Sequence, residues 1–95
     1  YDRDKLVIDL FNGNGVNGFA AKTASALRSQ GFQTGRVSNA PEVDKTQIYY
    51  LPDCKFAALE LAWLLDIEAV LLEGNYQNSE NPVAIILGRD LIGGN

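Results

Sequence analysis

Apolar and polar positions alternate over Lys5 to Phe11, "KLVIDLF", with Leu6, Ile8 and Leu10 on one side and Val7, Asp9 and Phe11 on the other. A period of two predicts a first strand, covered mainly on one face, with Asp9 on a partly solvated one. The period then lengthens. Within Asn17 to Gln30 the apolar or small residues Phe19, Ala20, Thr23, Ala24 and Leu27 form a helical stripe, and Lys22, Ser25, Arg28 and Ser29 take the other face. Asn17 is the expected N-cap and Gly31 stands where a C-cap glycine belongs. Phe32 to Ser38 predicts a second strand, in which Gly35 marks a bulge or a close backbone approach. The loop "NAPEVDK" follows, then the β-branched and aromatic run Thr46 to Leu51 as a third strand.

"PDCKFAALELAWLLD" predicts a second helix with Asp53 as its N-cap. This helix carries two apolar stripes. Cys54, Ala57, Ala58, Leu61, Ala62 and Leu65 make one, and Phe56, Leu59 and Trp63, at i, i+3 and i+7, make another. A two-layer domain buries only one of them, so a further strand or the tail covers the second, or it is an exposed patch. Ala69 to Glu73 is a short strand candidate, "GNYQNSENP" a polar turn region, and Val83 to Gly88, apolar nearly throughout, a strand covered on both faces or placed centrally. The tail "RDLIGGN" is expected to fray after Ile92. The order βαββαββ predicts an α+β fold, a two-layer sandwich with two helices on one face of a mixed four- to five-stranded sheet, over a single domain of residues 1–95. A small doubly wound sheet is the alternative arrangement.

With 46% hydrophobic and 21% charged residues in a 95-residue chain, a core can form. Charge narrows the partners. Eight Lys and Arg against twelve Asp and Glu give a net charge of −4, with no basic run, which disfavours nucleic acid and an anionic membrane surface. No run approaches a membrane-spanning length, and the chain begins at Tyr1, the expectation being a piece of a longer protein. There is no His, and Cys54 is the only Cys, so no internal disulfide forms and no metal or catalytic cluster is evident.

Gly13-x-Gly15-x-x-Gly18, between the first strand and first helix, has the spacing of a dinucleotide-binding loop. The acid expected some 20 residues on, to hold a ribose hydroxyl, is missing: Ser38, Asn39 and Ala40 stand there. The Walker lysine is missing too. A turn followed by a cap accounts for each glycine, and an anion site over Gly13, Asn14, Gly15, Val16, Asn17 and Gly18 is the weaker candidate. Cys54 reads as a buried structural cysteine. Asp9 and Asp90 meet only if the first and last strands are neighbours, and they read as a solvated-face residue and a turn cap.

"VIDLFNGNGVNGFAAKTASALRSQGFQTGRVSNAP", Val7 to Pro41, resembles the C-terminal domain of LytR-type proteins of the LytR-CpsA-Psr group, with its strand ending in "LNG-x-G-V-x-G-L-A", a helix, "GF-x-V" and an "NA" loop. "TQIYYLPDCKFAALELAWLL" and "VAIILGRD" resemble that family's "T-x-V-Y-Y" strand with its second helix and its closing "V-x-V-x-L-G-x-D" strand. Phe11 and Phe19 replace the usual Leu. The resemblance implies an extracytoplasmic, non-catalytic accessory module of a cell-envelope protein, no cofactor, and a link to cell-wall glycopolymer attachment through another domain or a membrane anchor. Its implied partners are other domains of that protein, wall polymer or a second copy, which would form a homo-oligomer. Phe56, Leu59 and Trp63, with Tyr49 and Tyr50, are the candidate interaction patch. The competing reading is a small phosphate- or nucleotide-binding enzyme domain using the Gly13 to Gly18 loop.

Overall fold

The computed structural model describes residues 6–65, 69–77 and 81–92. Strand β1 (Val7–Asn12) leads through helix α1 (Phe19–Ser29) to β2 (Gln33–Asn39). After β3 (Gln47–Tyr50), a short 3-10 turn at Pro52–Cys54 opens helix α2 (Lys55–Leu64), followed by β4 (Val70–Glu73), β5 (Val83–Leu87) and a second 3-10 turn at Arg89–Leu91. The βαββαββ order of the sequence pattern is therefore present. Expectations at Lys5, at Asp66 in the second helix, at residues 78–80 of the polar turn and for fraying beyond Ile92 lie outside the described residues.

The five strands lie in the order β2-β1-β5-β3-β4. β1 runs parallel to β2 and to β5, β3 runs parallel to β4, and β3 is antiparallel to β5, which makes the sheet mixed. Each helix thus bridges a parallel pair, as a short strand-helix-strand path favours. β5 is buried at all five positions because it is the central strand. β2 slips register between Ile8 and Leu10 of β1, and Gly35 sits at that bulge, where an added Cβ would lie 2.6 Å from Asp9 Oδ1.

Both helices pack on one face of the sheet. Ala20, Ala24 and Leu27 of α1 and Ala57, Ala58 and Leu61 of α2 close over Ile8, Leu10, Ile48, Tyr50, Val83, Ile85 and Leu87. Four of these six helix residues are alanines, which lets the helices approach the sheet closely. The other face is not simply solvated. Phe11, Ala84 and Ile86 are buried there beneath Tyr49, Tyr76, Ala40 and Val43, and Tyr76 links the rings at 4.9 Å from Phe11 and 5.1 Å from Tyr49.

Asp9 lies on that face, and the expectation of a solvated carboxylate is corrected: it is 2% exposed. Its Oδ1 accepts the Arg36 amide at 2.7 Å and the Asn81 side-chain amide at 2.8 Å. A buried carboxylate persists here because its neighbours donate to it, and the bulge supplies the backbone donor.

Candidate functional site

Two surfaces stand apart from the core: a polar cleft at the C-terminal ends of β1 and β2, and the outer face of α2.

The cleft is built by the glycine-rich loop. Asn12 ends β1 and turns its side chain back on the loop, with Nδ2 donating to the Val16 carbonyl at 2.6 Å and Oδ1 accepting the Asn14 amide at 3.1 Å. Asn14 Oδ1 in turn accepts the Val16 amide at 2.9 Å. Two asparagine side chains thereby fold the loop onto itself, using groups that an anion site would leave to its ligand. Gly15 and Gly18 take φ of +79° and +80°, which side-chain-bearing residues adopt at a cost. Gly13 is needed for a different reason: an added Cβ would lie 2.9 Å from Ile86 Cγ2.

The N-cap of α1 is Gly18, not Asn17, and no side chain caps this helix. The Phe19 amide goes to the Val16 carbonyl at 3.1 Å, so neither Val16 nor Phe19 offers a free N–H. Beside the loop lies an open cleft of about 360 Å³ lined by Asn12, Gly15, Asn17, Asn39, Ala40 and Glu42. Glu42 faces Gly15, its Oε2 3.4 Å from where a Cβ would stand. Among the described residues, no Lys or Arg belongs to this lining.

The rim is pinned from the far end of β5. Arg89 pairs with Glu42 and, at 3.5 Å, with Asp44, and Glu42 holds the Arg89 pKa above its ordinary value through a hydrogen bond and its charge. Thr46 is fully buried, and both its amide (3.1 Å) and its hydroxyl (2.8 Å) donate to Asp90. The Gly88 amide donates to the same hydroxyl at 3.0 Å. Asp9 and Asp90 therefore serve separate partners although β1 and β5 are neighbours: Asp9 stands opposite Ala84 in mid-strand, and Asp90 follows the end of β5.

The outer face of α2 is apolar and open. Phe56 is 75% exposed, Trp63 78% and Leu59 44%, so no described strand or tail covers the second stripe. An apolar groove of about 190 Å³ runs between the ends of the two helices, lined by Ala26 and Leu27 of α1 and by Leu64 and Leu65. Tyr49 and Tyr50, grouped with this patch from the sequence, are placed elsewhere: Tyr50 is in the core beneath the helices and Tyr49 is on the opposite face of the sheet. The alternation of a strand separates them from each other and from Trp63.

Cys54, expected to be buried, is half-buried at the entrance to α2, where it and not Asp53 occupies the N-cap position. Burial first, then the neighbouring Asp53 carboxylate, pushes its thiol pKa up. That is the opposite of an activated nucleophile. Among the described residues, no group of three or more His, Cys, Asp or Glu is arranged to hold a metal ion.

The family described as LytR cell envelope-related transcriptional attenuator matches residues 5–91. The chain belongs to the LytR C-terminal family. Two solved structures resemble this LytR C-terminal domain. The soluble domain of a conserved hypothetical secreted protein from Mycobacterium marinum, an Rv2700 ortholog, is 26% identical with a TM-score of 0.72, over 93% of this chain and 62% of that one. This chain thus spans less than two thirds of that domain. The C-terminal domain of RV0431 is 22% identical with a TM-score of 0.60, over 87% of this chain and 71% of that one, and shares the fold. No curated protein matches the chain.

The residues that carry the family resemblance are those that close the fold. Asn12, Gly13 and Gly15 shape the loop, Ala40 donates its amide to the Asn12 carbonyl at 3.0 Å, and Gly88 and Asp90 lock Thr46. Tyr76, Thr46 and Glu42 were missed by sequence reasoning. Their partners lie 27 to 65 residues away along the chain, beyond any local periodicity.

Proposed function

We propose that this domain is a non-catalytic, extracytoplasmic accessory module of a cell-envelope protein, which docks through the outer face of α2 onto another domain of that protein. The observation that carries the reading is the pair Phe56 and Trp63, 75% and 78% exposed on a helix whose opposite side is fully buried. A helix apolar on all sides is normally enclosed, and α2, at ten residues, is too short to be enclosed by a bilayer. Aromatic residues in such a position are typical interface anchors.

The family match and the secreted-protein neighbour support an envelope location. The nucleotide-binding alternative finds little support in the cleft, because the Glu42 carboxylate faces the loop and the Val16 and Phe19 amides are already used.

A photoreactive amino acid placed at Trp63 of the full-length protein in intact cells tests the reading. The expected result is an adduct to another domain of the same polypeptide, absent when the photoreactive group replaces exposed Val37 on β2. Equal labelling at both positions, or none at Trp63, would overturn it.

A further inference from the structure

The geometry points to a binding site for uncharged glycan in the cleft between the glycine-rich loop and the end of β2, independent of any docking at α2. Its lining is neutral amide plus one carboxylate: Asn17, Asn39 and Glu42 stand around Gly15 and Ala40. The side chains of Asn17 and Asn39 make no hydrogen bond with other described residues, which leaves each with two N–H donors and a carbonyl acceptor. Asn12, the buried member of the set, is already spent on holding the loop. Glu42 gives Oε1 to Arg89 and keeps Oε2 toward Gly15.

This donor set selects a ligand class. A carboxylate with a free oxygen seeks hydroxyl or amide donors and repels phosphate, and Arg89 offsets its charge without itself lining the cleft. Amides flanking it can each donate to one hydroxyl and accept from the next, the pattern that vicinal hydroxyls present. Peptide recognition would call for an apolar side-chain pocket, and among the described residues Ala40 is the only apolar side chain in the lining. At about 360 Å³ the cleft is at the lower end of the range for small-molecule pockets, a fit for one or two pyranose rings. With no aromatic platform in the lining, binding is weak, in the millimolar range.

The test is an amide NMR titration of this chain with maltotriose, chitotriose and inorganic phosphate as separate probes. The expected result is saturable shifts of the Asn17 and Asn39 side-chain amides and the Gly15 and Ala40 backbone amides with one or both sugars. Phosphate should move them little. Asn39→Ala, at an exposed position with no hydrogen bond to lose, should leave the remaining spectrum unchanged and weaken the sugar about tenfold, as loss of a paired amide predicts. Glu42→Gln should weaken it without admitting phosphate. If neither sugar shifts these amides, if phosphate shifts them more strongly, or if Asn39→Ala binds as tightly as the parent sequence, the inference is wrong. Because α2 lies outside the cleft lining, loss of docking by Trp63 variants would leave this titration unaffected.

Discussion

Thr46 is the residue on which the two ends of the fold depend. Its buried hydroxyl accepts from the Gly88 amide and donates to Asp90, so Thr46→Val strands the buried Gly88 amide, while the exposed Asp90 carboxylate keeps the Thr46 amide and water as partners. The expected loss is about 1–3 kcal/mol in urea denaturation, with the slope unchanged. Gly88→Ala should cost at least as much, because a Cβ there would lie 2.5 Å from the Lys45 carbonyl carbon, and backbone cannot step aside as a side chain does. The "G-x-D" spacing was readable in the sequence as a motif, but its purpose was not, since Thr46 lies 44 residues from Asp90. Asp9 was misread for a related reason: alternation placed it on the second face correctly, yet nothing local showed that Tyr76 and the Gly35 bulge would close that face. Cys54 offers a pH test. Burial and Asp53 raise its pKa, so at a given pH less thiolate is present than in an unfolded chain. Iodoacetamide should therefore label native Cys54 more slowly than the urea-unfolded protein at neutral pH, and the native labelling rate should level off at a higher pH than the unfolded rate does.

Helix α2 separates stability from recognition along a single element. Leu61 is fully buried with Ala57 and Ala58 against the sheet, and Leu61→Ala should cost about 2–5 kcal/mol, read as a lowered urea midpoint. Phe56→Ser and Trp63→Ser remove side chains that face solvent, so their effect on the same midpoint should stay within about 0.5 kcal/mol. Both stripes were legible from spacing alone. Which of them meets the sheet was not, because both are apolar; size decides it. Alanines at 57 and 58 allow close approach to β3, whereas Phe and Trp would hold the helix away. The glycine-rich loop shows the same division between pattern and geometry. Its turn character was evident from "NGNG", but the cap fell on Gly18 because Asn12 and Asn14, not Asn17, bond the loop backbone.

At the scale of the whole molecule, the two parallel strand-helix-strand units follow from the order of elements, and the central place of β5 follows from its unbroken apolar run. The insertion of β5 between β1 and β3 depends on pairings made across the entire chain. That insertion brings the β2–β3 loop against the end of β5, forms the cleft beside the glycine-rich loop, and leaves α2 with one face in the core and one outside. An envelope module held by that outer face makes a direct prediction for Trp63, the only tryptophan among the 95 residues. Hydroxyl-radical footprinting of the full-length protein in intact envelopes, compared with the isolated chain, measures its exposure residue by residue. Docking through α2 predicts that oxidation of Trp63 and Phe56, normalised to half-buried Tyr76, falls severalfold in the envelope. Equal oxidation of both residues in the two samples would contradict it.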